Sequence, residues 1–510
     1  MDTVLFSCGN APGLPTGYGG QCLLAVRAFQ RAGAKRVYII AWNLQASQFK
    51  PFHEFTTEEV VNINPGMSKI FDAAGAHDVD WSSVYWYSNP YTSWPATIQK
   101  GHINDMIAKS NADLFVSLQD IFMFEPGPLH CLSAVWMPLH FVPVEHPTIL
   151  ALADFDLQLP ISGWGAALLE PLQRGKHQER HVDVVAHGRC PKVYKPIWDD
   201  YITFSERNAK TRFKWGWPED AWVVLLIASN SEESGRKAFD AQLQAFSKFR
   251  RTHPKAWLHI HAESVRAYDI PRLLEIFGET DSRSTWINET DPRFRTHGDA
   301  PCSGTRVSVT PALSLNSISE DEIADMYRAS NALLAATCSE GCGVPILEAQ
   351  MCGCPVITTR ATAMWEETLL GISVPPKQWI ARMDFNSGWY LPDSDGIAAA
   401  LDTLHGWNYH QRRREYAAIE KRLLGLYSND AIIDSWVSIL TKIVAPSITS
   451  NFTHSKLEVS SKRRDFLRLA TSLRADMRDM ERLTRSMNEE QSHLTKLAKA
   501  RDAVKYIEAL

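Results

Sequence analysis

The stretch from Ala332 to Thr359 constrains the fold of this chain more than any other. The apolar run Ala332 to Ala336 reads as a buried parallel strand. Gly341 and Gly343 follow in Ser339-Glu340-Gly341-Cys342-Gly343-Val344-Pro345-Ile346-Leu347-Glu348 and permit a tight turn. Pro345 suits a first helical turn, Ile346, Leu347, Ala349 and Met351 continue as a helix, and Gly353 is placed to end it. Pro355 to Thr359 then reads as the next strand. Such a strand–turn–helix unit points free N–H groups out of the helix start, where a phosphate or a sugar hydroxyl can bind. Glu340 in the turn and Glu348 one helical turn on can face one bound molecule. Carboxylates repel a phosphate, so both suit hydroxyl groups, one on a sugar and one on a ribose. Read alone, the unit is either a site for a nucleotide-sized ligand or an ordinary strand–turn–helix whose glycines serve packing.

The full pattern, Ser-Glu-Gly-x-Gly-x-Pro-x-x-Glu-Ala-x-x-x-Gly-x-Pro-Val-Ile, resembles the donor signature of the retaining GT-B glycosyltransferases of family four. The resemblance implies that Glu340, with Gly341, Cys342, Gly343 and Val344, meets the donor sugar, and that Glu348 holds the ribose of the nucleotide.

A chain of 510 residues is long enough for two domains. No apolar run reaches the length of a membrane span, and the N-terminus reads as a strand rather than a secretion signal. Nine cysteines in such a length predict no disulfide framework, so a reducing cytoplasm is expected. The net charge of −5 predicts no general affinity for nucleic acid.

Thr3 to Phe6 reads as a strand, a glycine-rich loop runs to Gln21, and a helix is expected from about Cys22 to Gly33, before a strand at Val37 to Ala41. This opening predicts a doubly wound sheet with its ligand at the strand C-termini. The family resemblance implies that Gly19 and Gly20 let the backbone approach the donor diphosphate and the acceptor; a plain flexible loop is the other reading. Trp81, Tyr85, Trp86, Tyr87, Tyr91 and Trp94 form an aromatic-rich segment, either an acceptor platform or local packing. Asp120 and His140 both fall at the ends of expected strands, 112–118 and 133–137, and His140 is placed to orient the acceptor or a sugar hydroxyl. His146 and Asp154 read as structural. Val182 to His187 is expected as a strand; Arg189-Cys190 follows where the family often carries an acid, so no acidic contact transfers. Lys195 to about Thr211 reads as a linker.

Trp222 to Ala228 is a fully buried strand type ending near Asn230, which is expected at the donor. Arg236 and Lys237 follow, where the family places an Arg-Lys pair on the donor diphosphate. The chemistry agrees, because fixed cations stabilise a departing nucleoside diphosphate without a metal. Trp257 to His261 is the next strand, and Ser319 with Glu322 forms a capping box. Thr362 to Glu367 loosely matches a loop near the donor base. Cys338, Cys342, Cys352 and Cys354 cluster, but their spacing fits no zinc motif. A helix around Ile432 and Trp436 is expected to cross back onto the first domain.

Residues 455–510 carry 13 Lys and Arg against 9 Asp and Glu, with apolar groups at helical spacing. Packing on the body, homo-oligomer formation through a coiled coil, and binding to a membrane surface or nucleic acid stay open for this tail.

The fold class expected is α/β, with two doubly wound Rossmann-like domains of the GT-B type: 1–200 on the acceptor side, 205–430 on the donor side, a crossover helix at 431–450 and the helical tail. The resemblance implies a metal-independent transferase that moves a sugar from a UDP- or GDP-sugar to a hydroxyl acceptor, with retention and with no cofactor. A phosphorylase or nucleotide-sugar hydrolase on the same fold, and a silent nucleotide-sugar-binding scaffold, are the rivals. The acceptor class stays open: glycan, lipid, protein, small molecule or modified base.

Overall fold

The computed structural model describes residues 1–444 apart from 15–16, 42–52, 89–97, 143, 145–147, 149–150, 153, 174–180, 199–200, 231–234, 263–266, 279–306, 311–317 and 383–386. Two sheets carry the fold. The first contains β1 (Thr3–Cys8), β2 (Arg36–Ala41), β3 (Glu54–Thr56), β4 (Val84–Tyr87), β5 (Leu114–Leu118), β6 (Leu132–Met137), β7 (Leu157–Pro160) and β8 (His181–Val182). Its order is β3-β4-β2-β1-β5-β6-β7-β8. All its pairings are parallel except that of β3 with β4. The second contains β9 (Trp222–Ile227), β10 (Ala256–His261), β11 (Val307–Thr310), β12 (Ala332–Ala335), β13 (Val356–Thr359) and β14 (Gly371–Val374), in the order β11-β10-β9-β12-β13-β14. Every pairing in it is parallel. Parallel strands covered on both faces read as near-continuous apolar runs; β5 and β12 are buried at every position, Ser117 being the one polar side chain among them. A hairpin of β15 (Gln378–Arg382) and β16 (Ser387–Leu391) stands apart from both sheets.

The helix Asn429–Val444 returns to the first sheet. Ile432, Trp436 and Leu440 join the core around β1, and Trp436 meets Phe29 and Trp136 edge-on.

Several local expectations change. The first helix starts at Gly17, not Cys22, so Gly19 and Gly20 lie in its first turns. Its entry is fixed from outside the helix by Gly13 N donating to Gly19 O, which offsets the poor helix propensity of the glycines. Cys8 and Cys22 are brought together as a pair, with their Cα atoms 6.7 Å apart. The strand expected at 182–187 is confined to His181–Val182; beyond it Val185 N still bonds Pro160 O and Val185 O accepts from Trp136 Nε1, outside the ladder. The linker expected up to Thr211 is instead largely the helix Tyr201–Lys214. Arg212 ties this helix to the second half through the carbonyls of Ala221 and Ala329 and the Asn331 side chain.

The aromatic segment is local packing where it is described. Trp81 stacks on Phe71, Trp86 is buried and donates to Thr57, and Tyr85 and Tyr87 flank Tyr38. Tyr91, Trp94, His146 and residues 445–510, which include the whole tail, lie outside the described residues. Among the described residues no helix is long and apolar enough to cross a membrane.

Candidate active site

The site is built where β9 and β12, neighbours in the second sheet, end side by side. After β9, Arg236 and Lys237 stand just before the helix Phe239–Arg250. After β12, the loop carries Glu340. Its carboxylate is 7% exposed and lies between the two cations, with Arg236 Nη1 at 2.8 Å and Lys237 Nζ at 2.7 Å. Arg236 also donates to Ser339 O, at 2.6 Å. Burial pushes the Glu340 carboxyl up, but the two cations more than offset it and hold the group at about 2. Ala238, next to Lys237, adopts φ 47°. A side chain there costs about 1 kcal/mol, so the surroundings impose this turn.

The helix Val344–Met351 follows with Pro345 in its first turn. Its entry is already occupied: the Gly343 N–H donates to Glu367, 2.9 Å away. Glu367 is 1% exposed, and burial pushes its carboxyl up to about 8. Glu348, 8% exposed, faces the first half of the chain. Arg189 Nε donates to one of its oxygens at 2.8 Å and Tyr327 OH to the other at 2.9 Å. Arg189 is held in turn by its backbone, which bonds Tyr427 O and Asn429 N at the junction of the last two described helices.

The first half closes against this loop. Ser339 Oγ donates to His140 O. A Cβ on Gly341 would stand 2.6 Å from Pro138 Cβ, so only glycine allows the two halves to meet there. Asp120, His140 and Phe141 line one small cavity at the ends of β5 and β6. Phe141 joins Ala238, Cys338 and Trp389 in a cluster shared by both halves. The β15–β16 hairpin completes the cover: Gly388 exchanges two backbone bonds with Val142, and Tyr390 N donates to Cys338 O.

Thus Arg236, Lys237, Glu340, Gly341, Cys342, Gly343 and Val344 come together, with His140 beside them through its backbone. Glu348 lies at the other end of the same unit. Gly19 is required by its own loop, since a Cβ would stand 2.3 Å from Leu14 O, whereas Gly20 has Arg189 Nη1 at 3.6 Å from its Cβ position. Asn230, 1% exposed, exchanges two bonds with the Tyr268 backbone, which shapes the turn after β9. Asp154 is structural: it pairs with Lys100 and accepts from Gly127 N. Among the described residues no three His, Cys, Asp or Glu side chains gather as a metal site. A second cavity, lined by Trp198, Arg207, Asp325 and Arg328, lies at the far end of the 344–351 helix, away from Glu340. Sequence reading missed Arg189 and Tyr327, and placed Glu367 only within a segment that loosely matches a loop near the donor base. Glu367 had a signal, an acid pair following an apolar turn, but Arg189 pairs across 159 residues with nothing local to announce it.

No curated protein matches the chain in sequence. Solved structures resemble it as folds. Sucrose-phosphate synthase from Thermosynechococcus elongatus superposes with a TM-score of 0.57 at 14% identity, covering 87% of this chain and 100% of its own. A glycosyltransferase from Rickettsia africae gives 0.56 at 13%, covering 87% and 99%. Trehalose-6-phosphate from Escherichia coli bound with UDP-2-fluoro glucose gives 0.55 at 13%, covering 87% and 100%. Residues 223–404 match the family model described as glycosyl transferases group 1. With both sheets, the loop after β12 and these likenesses in place, the chain carries a domain of the glycosyl transferases group 1 family on a GT-B fold.

Proposed function

We propose that this chain transfers a sugar from a nucleotide-diphosphate sugar to a hydroxyl acceptor, with retention of anomeric configuration and without a metal. The observation that carries the reading is the Glu340 carboxylate held between Arg236 and Lys237 where β9 and β12 end. In this reading residues 1–200 serve the acceptor, 205–430 serve the donor, and 431–450 return to the first half.

Arg236 and Lys237 then exchange Glu340 for the donor diphosphate. As the bond between the sugar and the phosphate oxygen breaks, negative charge builds on that phosphate and the two fixed cations stabilise it. The acceptor oxygen bonds to the same face of the sugar, and its proton passes to the departing phosphate oxygen. Glu340, released from its cations, accepts a bond from a sugar hydroxyl. Glu348 accepts from the ribose hydroxyls with the lone pairs that Arg189 and Tyr327 leave open. His140 and Asp120 line the cavity beside the sugar and orient the acceptor; Gly20 and Asn230 border the diphosphate.

A nucleotide-sugar-binding scaffold without turnover is a second reading. It is favoured by one observation, that Glu340 and Glu348 are both engaged by cations of the chain itself. Thermal shift with nucleoside diphosphates and their sugars, UDP and GDP first, followed by product assay in excess EDTA, separates the readings. The transferase reading expects a raised midpoint with one nucleotide and product formation that EDTA leaves intact. No product with a donor that binds supports the scaffold; loss on chelation, restored by a divalent ion, overturns metal independence.

A further inference from the structure

The short helix Thr362–Glu367 is bonded to the donor loop at both ends. Thr362, 2% exposed and at φ 53°, accepts from Glu340 N at 3.0 Å, and Ala363 N donates to Glu340 O at 3.3 Å. At the other end Glu367 accepts from Gly343 N. Glu366 points away from this loop and into the first half. Its carboxylate accepts from Gly163 N at 2.7 Å and Trp164 N at 2.9 Å, in the first turn of the helix Gly163–Gln173. A carboxylate on the unpaired N–H groups of a helix start is favourably placed.

We infer that Glu366 is a positioning residue for the transfer: it latches the 362–367 helix to the first half and thereby fixes Glu340. This rests on the function proposed above. Both backbone polar groups of Glu340 are taken by residues 362 and 363, so the backbone that carries its carboxylate shifts only together with the helix. The latch can form only when the first half has come up to the loop, because the Gly163 and Trp164 N–H groups belong to that half. Closure and placement of Glu340 are therefore one event, and releasing the latch leaves the donor-side cations in place while loosening the carboxylate beside them.

Three variants test this. Glu366→Ala removes the acceptor. Glu366→Gln keeps an acceptor oxygen but loses the charge. Gly163→Ala acts from the other side, since its Cβ would stand 2.9 Å from Glu366 Oε2, while alanine suits a helix. Hydrogen exchange across residues 338–345, turnover and nucleoside diphosphate affinity are measured together. Glu366→Ala is expected to deprotect 338–345 and to lower turnover by about tenfold or more while diphosphate affinity stays within about twofold. Glu366→Gln falls between it and wild type, and Gly163→Ala gives a smaller loss that adds nothing to Glu366→Ala in the double variant. Exchange at 338–345 equal to wild type in Glu366→Ala overturns the inference, as does turnover and affinity falling together. A wild type that turns over no donor, with exchange responding as described, contradicts the transferase reading and leaves the latch standing.

Discussion

Glu340 and Glu348 stand at the two ends of one loop and helix turn, are nearly equally buried at 7% and 8%, and yet are held by different parts of the molecule. Glu340 takes both its cations from the second half, from the turn after β9. Glu348 takes its cation from the first half, through an arginine whose backbone is fixed at the junction of the last two described helices. The acid at one end is thus compensated whenever the second sheet folds. The acid at the other end is compensated only when the halves are together. Buried charges demand partners, so the donor loop reports both on its own sheet and on the closure of the chain around it.

The largest effect is expected where the halves meet. Arg189→Met leaves Glu348 buried without its cation and is expected to cost about 3–5 kcal/mol in urea unfolding. Adding Glu348→Gln removes the stranded charge and restores most of that loss. A double variant no more stable than the single one shows that the ion pair is not what ties the ends together.

The cation pair at the other end is expected to act on turnover. Arg236→Ala and Lys237→Ala each lose a charged contact to the departing phosphate, costing about 2–4 kcal/mol in transition-state stabilisation. Initial rates with donor sugar check this, with near-UV circular dichroism confirming the fold. Rates within about threefold of wild type for both variants remove these residues from the reaction.

A smaller effect separates Glu367 from both. Its folded value of about 8 lies above the ordinary 4.5, so the folded chain keeps a proton that the unfolded chain gives up. Its contribution is full below pH 4.5 and is lost as pH rises towards 8. Thermal midpoints of wild type are therefore expected to fall by a few degrees over this window relative to Glu367→Gln, whose amide still accepts from Gly343. Parallel profiles for the two proteins contradict a protonated Glu367.

The difference between the two carboxylates also marks what a reader of sequence can recover. The strands of the second sheet were legible because a strand buried on both faces reads as a near-continuous apolar run, as Trp222 to Ile227 and Ala332 to Ala335 do. The capping box of Ser319 and Glu322 was legible because both partners sit within one turn. Arg236, Lys237 and Glu340 are drawn to one place by their positions after adjacent strands. Arg189 was not legible, nor was Glu366 on Gly163, because each contact joins residues far apart in the chain and depends on how the halves dock. The aromatic segment stayed open between an acceptor platform and local packing for a related reason. Tryptophan serves a core as readily as a sugar, and Trp86 found its partner in Thr57.

Calorimetry with a nucleoside diphosphate on Glu340→Gln and Glu348→Gln tests the central claim most directly. If Glu340 reads the sugar and Glu348 the ribose, Glu348→Gln weakens the nucleoside diphosphate while Glu340→Gln leaves its affinity close to wild type and lowers turnover of the full donor. Equal loss of nucleoside diphosphate affinity in both variants contradicts the division of roles between the two carboxylates.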